Sequence, residues 1–171
     1  MKQIETVVTH LEMHAPPAHA AIAPPRDELA IVRAAPPTVR FYRFLYDGVG
    51  DPWLWTDRKK LDDGALAAIV CDPAVEVWVL WAAGAPAGYA ELDRRAPPDI
   101  ELAYFGLLPE FTGRRLGAYL LDQTIRRAWS YAPERFWVHT QTLDHPAALP
   151  LYQKLGFVPF KTETILVDDP R

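Results

Sequence analysis

The chain has 171 residues, 50% of them hydrophobic, 12% aromatic and 23% charged, with a net charge of −4, a globular composition that argues against a nucleic-acid scaffold. A domain of that length hides roughly 70% of its unfolded-state surface, enough for a core and a cleft, and residues 1–171 are read as one domain. One cysteine, Cys71, excludes an internal disulfide, the first residues lack the apolar core of a signal peptide, and no apolar stretch approaches the roughly 20 residues needed to span a bilayer, so a cytoplasmic protein with no membrane partner is expected.

Residues 4–13 and 29–33 alternate apolar and polar side chains as strands do, and the pairs Pro16-Pro17 and Pro24-Pro25 stiffen the loop between them. From Thr38 onward Val39, Tyr42, Phe44, Leu45, Tyr46 and Val49 recur at helical spacing and stop at glycine. The loop Asp51-Pro52-Trp53-Leu54-Trp55-Thr56-Asp57 is too aromatic to face only solvent, and a short helix follows over 63–70. Strands at 75–81, 87–93 and 99–108, joined by turns holding Gly84, Pro86 and Pro97-Pro98, suit an antiparallel meander. The next helix buries Leu116, Leu120, Leu121, Ile125, Ala128 and Trp129, turns Asp122, Gln123, Arg126 and Arg127 to water, and ends near 132–133. A strand at 136–142, a short helix at 145–155 capped by Asp144, and a strand at 158–167 complete the order. Pro150 is expected to remove one hydrogen bond of that short helix and kink it. The apolar end of the last strand, 164–167, either pairs across a homodimer or ends the sheet alone.

Between the third meander strand and the long helix lies Leu107-Leu108-Pro109-Glu110-Phe111-Thr112-Gly113-Arg114-Arg115-Leu116-Gly117-Ala118. A helix start has unpartnered N–H groups and about half a positive charge, which suits a pyrophosphate. Gly113 and Gly117 let a ligand approach the backbone, and Arg114 and Arg115 add charge. A second motif, Leu-Tyr-x-Lys-x-Gly-Phe over 151–157, follows Asp144-His145-Pro146.

With that element order, the two motifs resemble the GNAT superfamily of acyl-CoA-dependent N-acetyltransferases, and the resemblance runs from about Leu29 to Val167. It implies an α/β fold with a mostly antiparallel, splayed sheet of about six or seven strands and four helices, and acetyl-CoA as co-substrate. Strands 101–108 and 136–142 would open a V-shaped slot, the first of them carrying a bulge. The family's loop pattern is Gln or Arg, two residues, Gly, one residue, then Gly or Ala, which falls on Thr112, Arg115 and Gly117. Two of the three positions depart from it. Thr112 is expected to cap the helix through its hydroxyl, and Arg115 to hold a helical backbone with its side chain turned away or onto a phosphate. His145 stands where the family often has Asn.

An amine attacks a thioester only when neutral, and with a pKa near ~10 only about one molecule in a thousand is neutral at pH 7. The resemblance favours Glu101 as general base, through water, with Glu91 on the preceding strand as the other candidate. Backbone N–H groups at Leu107 and Leu108 would stabilise the oxyanion. Tyr152 would protonate the leaving thiolate, whose thiol has a pKa near ~8.5, because a phenol near ~10 still carries its proton at pH 7. The acceptor, expected to be a small primary amine, would meet Trp53, Trp55, Tyr42 and Tyr46, with Glu91 and His139 as further contacts; His139 is equally readable as a core histidine or an auxiliary base. His10 and His14 have the spacing of a helical zinc pair but sit in an extended segment, and no metal is expected. The alternatives are an inactive acyl-CoA-binding module, a hydroxyl acceptor, a longer acyl donor, or a purely structural domain.

Overall fold

In a computed structural model that describes residues 2–171, apolar alternation in the first segment is realised as an eleven-residue strand, β1 (Gln3–Met13). A proline-rich strap leads from it to β2 (Leu29–Ala34) and then to α1 (Val39–Gly50), which starts where the Thr38 hydroxyl accepts the Phe41 N–H. Next come α2 (Asp63–Val70), capped by Asp62, the meander β3 (Val75–Ala82), β4 (Ala85–Asp93) and β5 (Asp99–Leu107), and α3 (Leu116–Trp129). The chain ends with β6 (Arg135–Gln141), α4 (Ala148–Lys154) and β7 (Val158–Asp168).

All seven strands form one sheet in the order β2-β3-β4-β5-β6-β1-β7. Every pairing is antiparallel except β5 with β6, which run parallel and pair only over Asp99↔Arg135, Ile100↔Phe136 and Glu101↔Trp137. Past Glu101 the two strands diverge and leave a wedge-shaped gap in the sheet. The register against β4 slips by one residue between Leu102 and Tyr104, a bulge that leaves Ala103 without a partner and bends β5. The sequence places a bulge at 107–108; the pairing is regular through Leu107, and the irregularity lies just past Glu101, beside the apex of the wedge.

Helices cover both faces. On one, Tyr42, Leu45, Tyr46 and Val49 of α1 and Leu66 and Val70 of α2 pack on Val77, Val79 and Tyr89. On the other, Leu121, Ile125 and Ala128 of α3 and Tyr152 and Leu155 of α4 pack on Leu11, Leu92, Leu102, Phe136 and Val138. Asp122, expected at the solvent face of α3, is fully buried: its carboxylate accepts from the Ile22 N–H at 2.9 Å, lies 2.8 Å from His19 Nε2 and pairs with Arg126 at 3.1 Å. The N-terminal strap lies over the helix there and supplies the partners that a buried carboxylate requires.

Two further expectations change in α4. Its N-cap is Ala147, and Asp144 instead accepts bonds from the Gln141 N–H and the Thr140 hydroxyl. Pro150 stands in the first turn, where an N–H would have no intrahelical partner, so the missing donor costs the helix no bond.

Candidate active site

The wedge between β5 and β6 opens into a cavity of about 790 Å³. One end is bounded by Leu107, Thr112, Gly113, Arg115 and Gly117, the opposite wall by His145, Leu151 and Tyr152, and the broad end by Trp53, Trp55 and Tyr104, with Glu101 and His139 beside the point where the strands part. The structure therefore brings together most of the residues singled out in the sequence. Glu91, Tyr42, Leu108, Arg114, Leu116 and Ala118 are not among those that line the cavity.

Tyr42 and Glu91 are displaced from the acceptor site for one reason: they are fully buried between α1 and the sheet. The Tyr42 hydroxyl donates to Glu91 Oε1 at 2.5 Å, and Arg58 Nη2 donates to Glu91 Oε2 at 2.6 Å. Burial lifts the Glu91 carboxyl above its ordinary range against the pull of the Arg58 guanidinium. This is a closed ion pair inside the fold, with both carboxylate oxygens used and no free face for a ligand.

Glu101 is the last β5 residue paired with β6, at the apex of the wedge. Burial, then the carboxylates of Asp93 and Glu91, push its carboxyl up to about 7. Asp93 is its direct cross-strand neighbour on β4 and is itself held low through the fork of Arg95. Among the described residues the one basic side chain within ion-pair distance of Glu101 is His139, with Nδ1 3.8 Å from Oε1. A carboxylate that shares its proton near neutrality beside a cavity has the protonation behaviour of a general base.

The glycine loop differs from expectation in its backbone. After Leu107 a short 3-10 turn (Pro109–Phe111) leads to Thr112, whose hydroxyl donates to the Pro109 carbonyl at 2.9 Å instead of capping α3. Arg115 is the N-cap and sits in the left-handed region at φ 62°, with no side-chain cap, and Gly113 precedes it at φ 76°. A non-glycine residue there costs about 1–2 kcal/mol, and a left-handed turn leading into the start of a helix beside the cavity is a backbone form suited to phosphate oxygens. Arg115 lines the cavity, Arg114 lies over the Phe111 ring at 5.7 Å, and Leu116 and Ala118 can contribute only through the backbone.

Of the two amides proposed for the oxyanion, that of Leu108 is spent on the Ala87 carbonyl at 2.9 Å. Antiparallel bonding alternates along a strand, so the amides of Leu107 and Phe105 turn away from β4 into the gap. An acyl-thioester arm laid along β5 would meet those two donors, and the residues present fit acetyl-CoA in this respect. Tyr152 is 5% exposed, packs against Phe105 and Phe157, and reaches the cavity. Burial and the nearby Asp144 carboxylate push its phenol well above the ordinary range, which keeps it protonated and able to donate.

At the broad end, Trp53 lies on the His145 ring with centroids 4.8 Å apart, and Trp55 Nε1 donates to Asp144 Oδ1 at 3.1 Å. The loop after α1 thus bridges the cavity to the turn before α4. Trp55 also packs on Tyr46 and Tyr104 and lies so close to Gly50 that any Cβ there would collide with its ring. The sequence reading missed Tyr104 and Asp144 as wall residues. Tyr104 stands one position past a bulge that the sequence places at the other end of the strand, and Asp144 reads as a helix cap.

Residues 35–157 match the model of the acetyltransferase (GNAT) family. No curated protein matches the sequence. Among solved structures, a GCN5-related N-acetyltransferase from Kribbella flavida superposes with a TM-score of 0.64 at 18% identity, over 96% of this chain and 58% of that one. A tandem GNAT protein from the clavulanic acid biosynthesis pathway gives 0.63 at 17% identity, over 96% of this chain and 55% of that one. An aminoglycoside acetyltransferase from an uncultured soil metagenomic sample, in complex with sisomicin, gives 0.61 at 14% identity over 74% of this chain and 86% of that one. The chain spans a little over half the length of the first two. At these identities the likeness is one of fold: a seven-stranded mixed sheet with four helices.

Proposed function

The chain belongs to the acetyltransferase (GNAT) family, and from that premise we propose that it transfers the acetyl group of acetyl-CoA to a primary amine of a small molecule by direct attack in a ternary complex. The observation that carries this reading is Glu101, half-buried at the apex of the wedge, facing the cavity, with its carboxyl lifted to about 7. Acetyl-CoA supplies an activated acyl thioester. Everything else is done by the chain. The turn at Gly113 and Arg115 and the start of α3 hold the phosphates. The Leu107 amide donates to the acyl carbonyl oxygen as negative charge grows on it. Glu101 takes a proton from the ammonium form of the acceptor, directly or through a water. Tyr152 gives its proton to the departing sulfur and is restored by the second proton that the amine nitrogen loses. Trp55 and Tyr104 form an aromatic wall for the amine, which favours apolar or cationic acceptors. Cytoplasm is the compartment that this reading, with one unpaired Cys71, implies.

Calorimetric titration with acetyl-CoA, followed by a thiol-release screen against tyramine, spermidine and sisomicin, tests the proposal. Sisomicin enters the panel because a protein of the same fold holds it. Binding with amine-dependent thiol release supports it. Binding without release marks an acyl-CoA-binding module, and no binding overturns the assignment of residues 107–118.

A further inference from the structure

Four titratable side chains cross four adjacent strands on one face of the sheet: Glu101 of β5, His139 of β6, His10 of β1 and Glu163 of β7. His139 Nδ1 is 3.8 Å from Glu101 Oε1, the His139 and His10 rings are 5.7 Å apart between centroids, and His10 Nε2 is 2.9 Å from Glu163 Oε1. His10 and His139 are direct cross-strand partners, so their side chains project from the same face at the same level. The row exists because β1 lies between β6 and β7, a placement that the local sequence pattern does not encode.

Transfer from acetyl-CoA to an ammonium group releases one proton overall: the amine nitrogen loses two, and the departing thiolate takes up one. If Tyr152 serves the sulfur, the other proton passes through Glu101, and that carboxyl must be cleared before the next turnover. Glu101 is the less exposed of the pair, its side chain 25% accessible against 46% for His139. Besides Glu101, the groups facing the His139 ring are His10 on β1, Glu163 on β7, Asp57 in the loop after α1, Asp144 after β6 and the stacked Trp137 ring. Burial, then the His10 ring, hold the His139 imidazolium below its ordinary range, against the pull of the carboxylates.

We propose that His139 receives the proton that Glu101 takes from the acceptor amine and delivers it to solvent, with His10, anchored by Glu163, as the positioning residue that holds the ring in place. The step balances, with one water carrying the proton across the 3.8 Å separation: the Glu101 O–H bond breaks, an N–H bond forms at His139 Nδ1, and the imidazolium then loses a proton to bulk solvent. This inference rests on the reading of Glu101 as the general base.

The test begins without any acceptor. Ring-nitrogen NMR of the histidines in the full chain, with His139 assigned through His139→Gln, follows its titration in wild type and His10→Gln. The His139 midpoint should rise in His10→Gln, which removes a neighbouring imidazole. A midpoint unmoved by His10→Gln overturns the positioning role of His10. The kinetic arm uses the fastest amine of the thiol-release panel: His139→Gln should lower kcat about tenfold with the KM for acetyl-CoA unchanged, and added imidazole should restore the rate. Full activity in His139→Gln beside a slow Glu101→Gln overturns the relay and leaves the base assignment standing. Full activity in Glu101→Gln overturns the base assignment itself.

Discussion

Glu91 and Glu101 are the same residue type on neighbouring strands and on the same face of the sheet, yet the fold has made opposite things of them. Glu91 lies beneath α1 with a tyrosine hydroxyl on one oxygen and a guanidinium on the other. Glu101 lies ten residues on, where β5 and β6 part, with no arginine or lysine of the described residues within ion-pair distance. Burial raises both carboxyls. Only the partnered one is committed to structure, because its charge is matched by Arg58 at contact distance. A buried carboxylate with its cation is architecture, whereas one deprived of a cation and opened to a cavity is reactive.

The sharpest way to break that comparison is to neutralise each glutamate's charge relationship in turn. Glu101→Gln should lower kcat/KM by about 10²–10⁴-fold, the range general-base removal produces. In wild type, kcat/KM should climb as pH rises through about 7, where Glu101 loses its proton, and this limb should vanish in the variant. Stability runs the other way. The folded-state pKa of Glu101 lies above its unfolded value, so its contribution is fully present below the unfolded pKa and is lost as pH rises through about 7. Glu101→Gln should therefore be no less stable than wild type at pH 8, as urea denaturation at pH 5 and pH 8 will show.

Arg58→Ala should do the reverse on the structural side. It strands the Glu91 carboxylate under α1, a change of about 3–5 kcal/mol for a buried pair broken on one side. The double change Arg58→Met with Glu91→Leu should recover most of that loss in equilibrium unfolding, because the requirement is for matched partners and not for charge as such. Were Arg58→Ala to unfold at the wild-type midpoint, the pair would not be structural and the contrast with Glu101 would collapse.

Tyr152 extends the comparison to the opposite wall. Its phenol is buried like that of Tyr42, but Tyr42 donates to Glu91 whereas no side chain of the described residues bonds the Tyr152 hydroxyl. Tyr152→Phe should reduce kcat by about 10- to 100-fold and leave the acetyl-CoA affinity measured by calorimetry unchanged. A variant at the wild-type rate would remove Tyr152 from the chemistry.

Local pattern was readable in the sequence, and long-range partnership was not. The α2 range 63–70 is reproduced as Asp63–Val70, and β3, β5, β6 and β7 fall within one residue of their expected bounds. These elements announce themselves through periodicity and the Pro and Gly turns between them. The loop at 112–117 was found for the same reason. What stayed hidden depends on residues far apart in the chain: Asp122 is buried because His19 and Ile22 reach it, and His10 meets His139 because β1 inserts beside β6. Arg115 shows a third limit, since a left-handed backbone at an arginine is imposed by the turn and not advertised by the residue.

The two tryptophans of the loop after α1 give the smallest contrast. Trp55 is held from several sides, by Tyr46, Tyr104, Gly50 and the Asp144 carboxylate, so it is both wall and wedge. Trp53 sits at the rim and touches chiefly His145. Truncation should separate these roles. Trp55→Ala should cost about 2–3 kcal/mol of stability, somewhat below the range for a fully buried aromatic, and raise the acceptor KM as well. Trp53→Ala should change stability less, by about 1 kcal/mol, because the ring is half-buried with fewer partners than Trp55. It should still raise the acceptor KM a few-fold, because the stacked ring holds His145 and the loop over the cavity in place. Thermal melts beside steady-state kinetics read both effects. Equal losses of folding in the two variants would mean that both rings merely cap the core and that the broad end of the cavity has no aromatic wall for an amine.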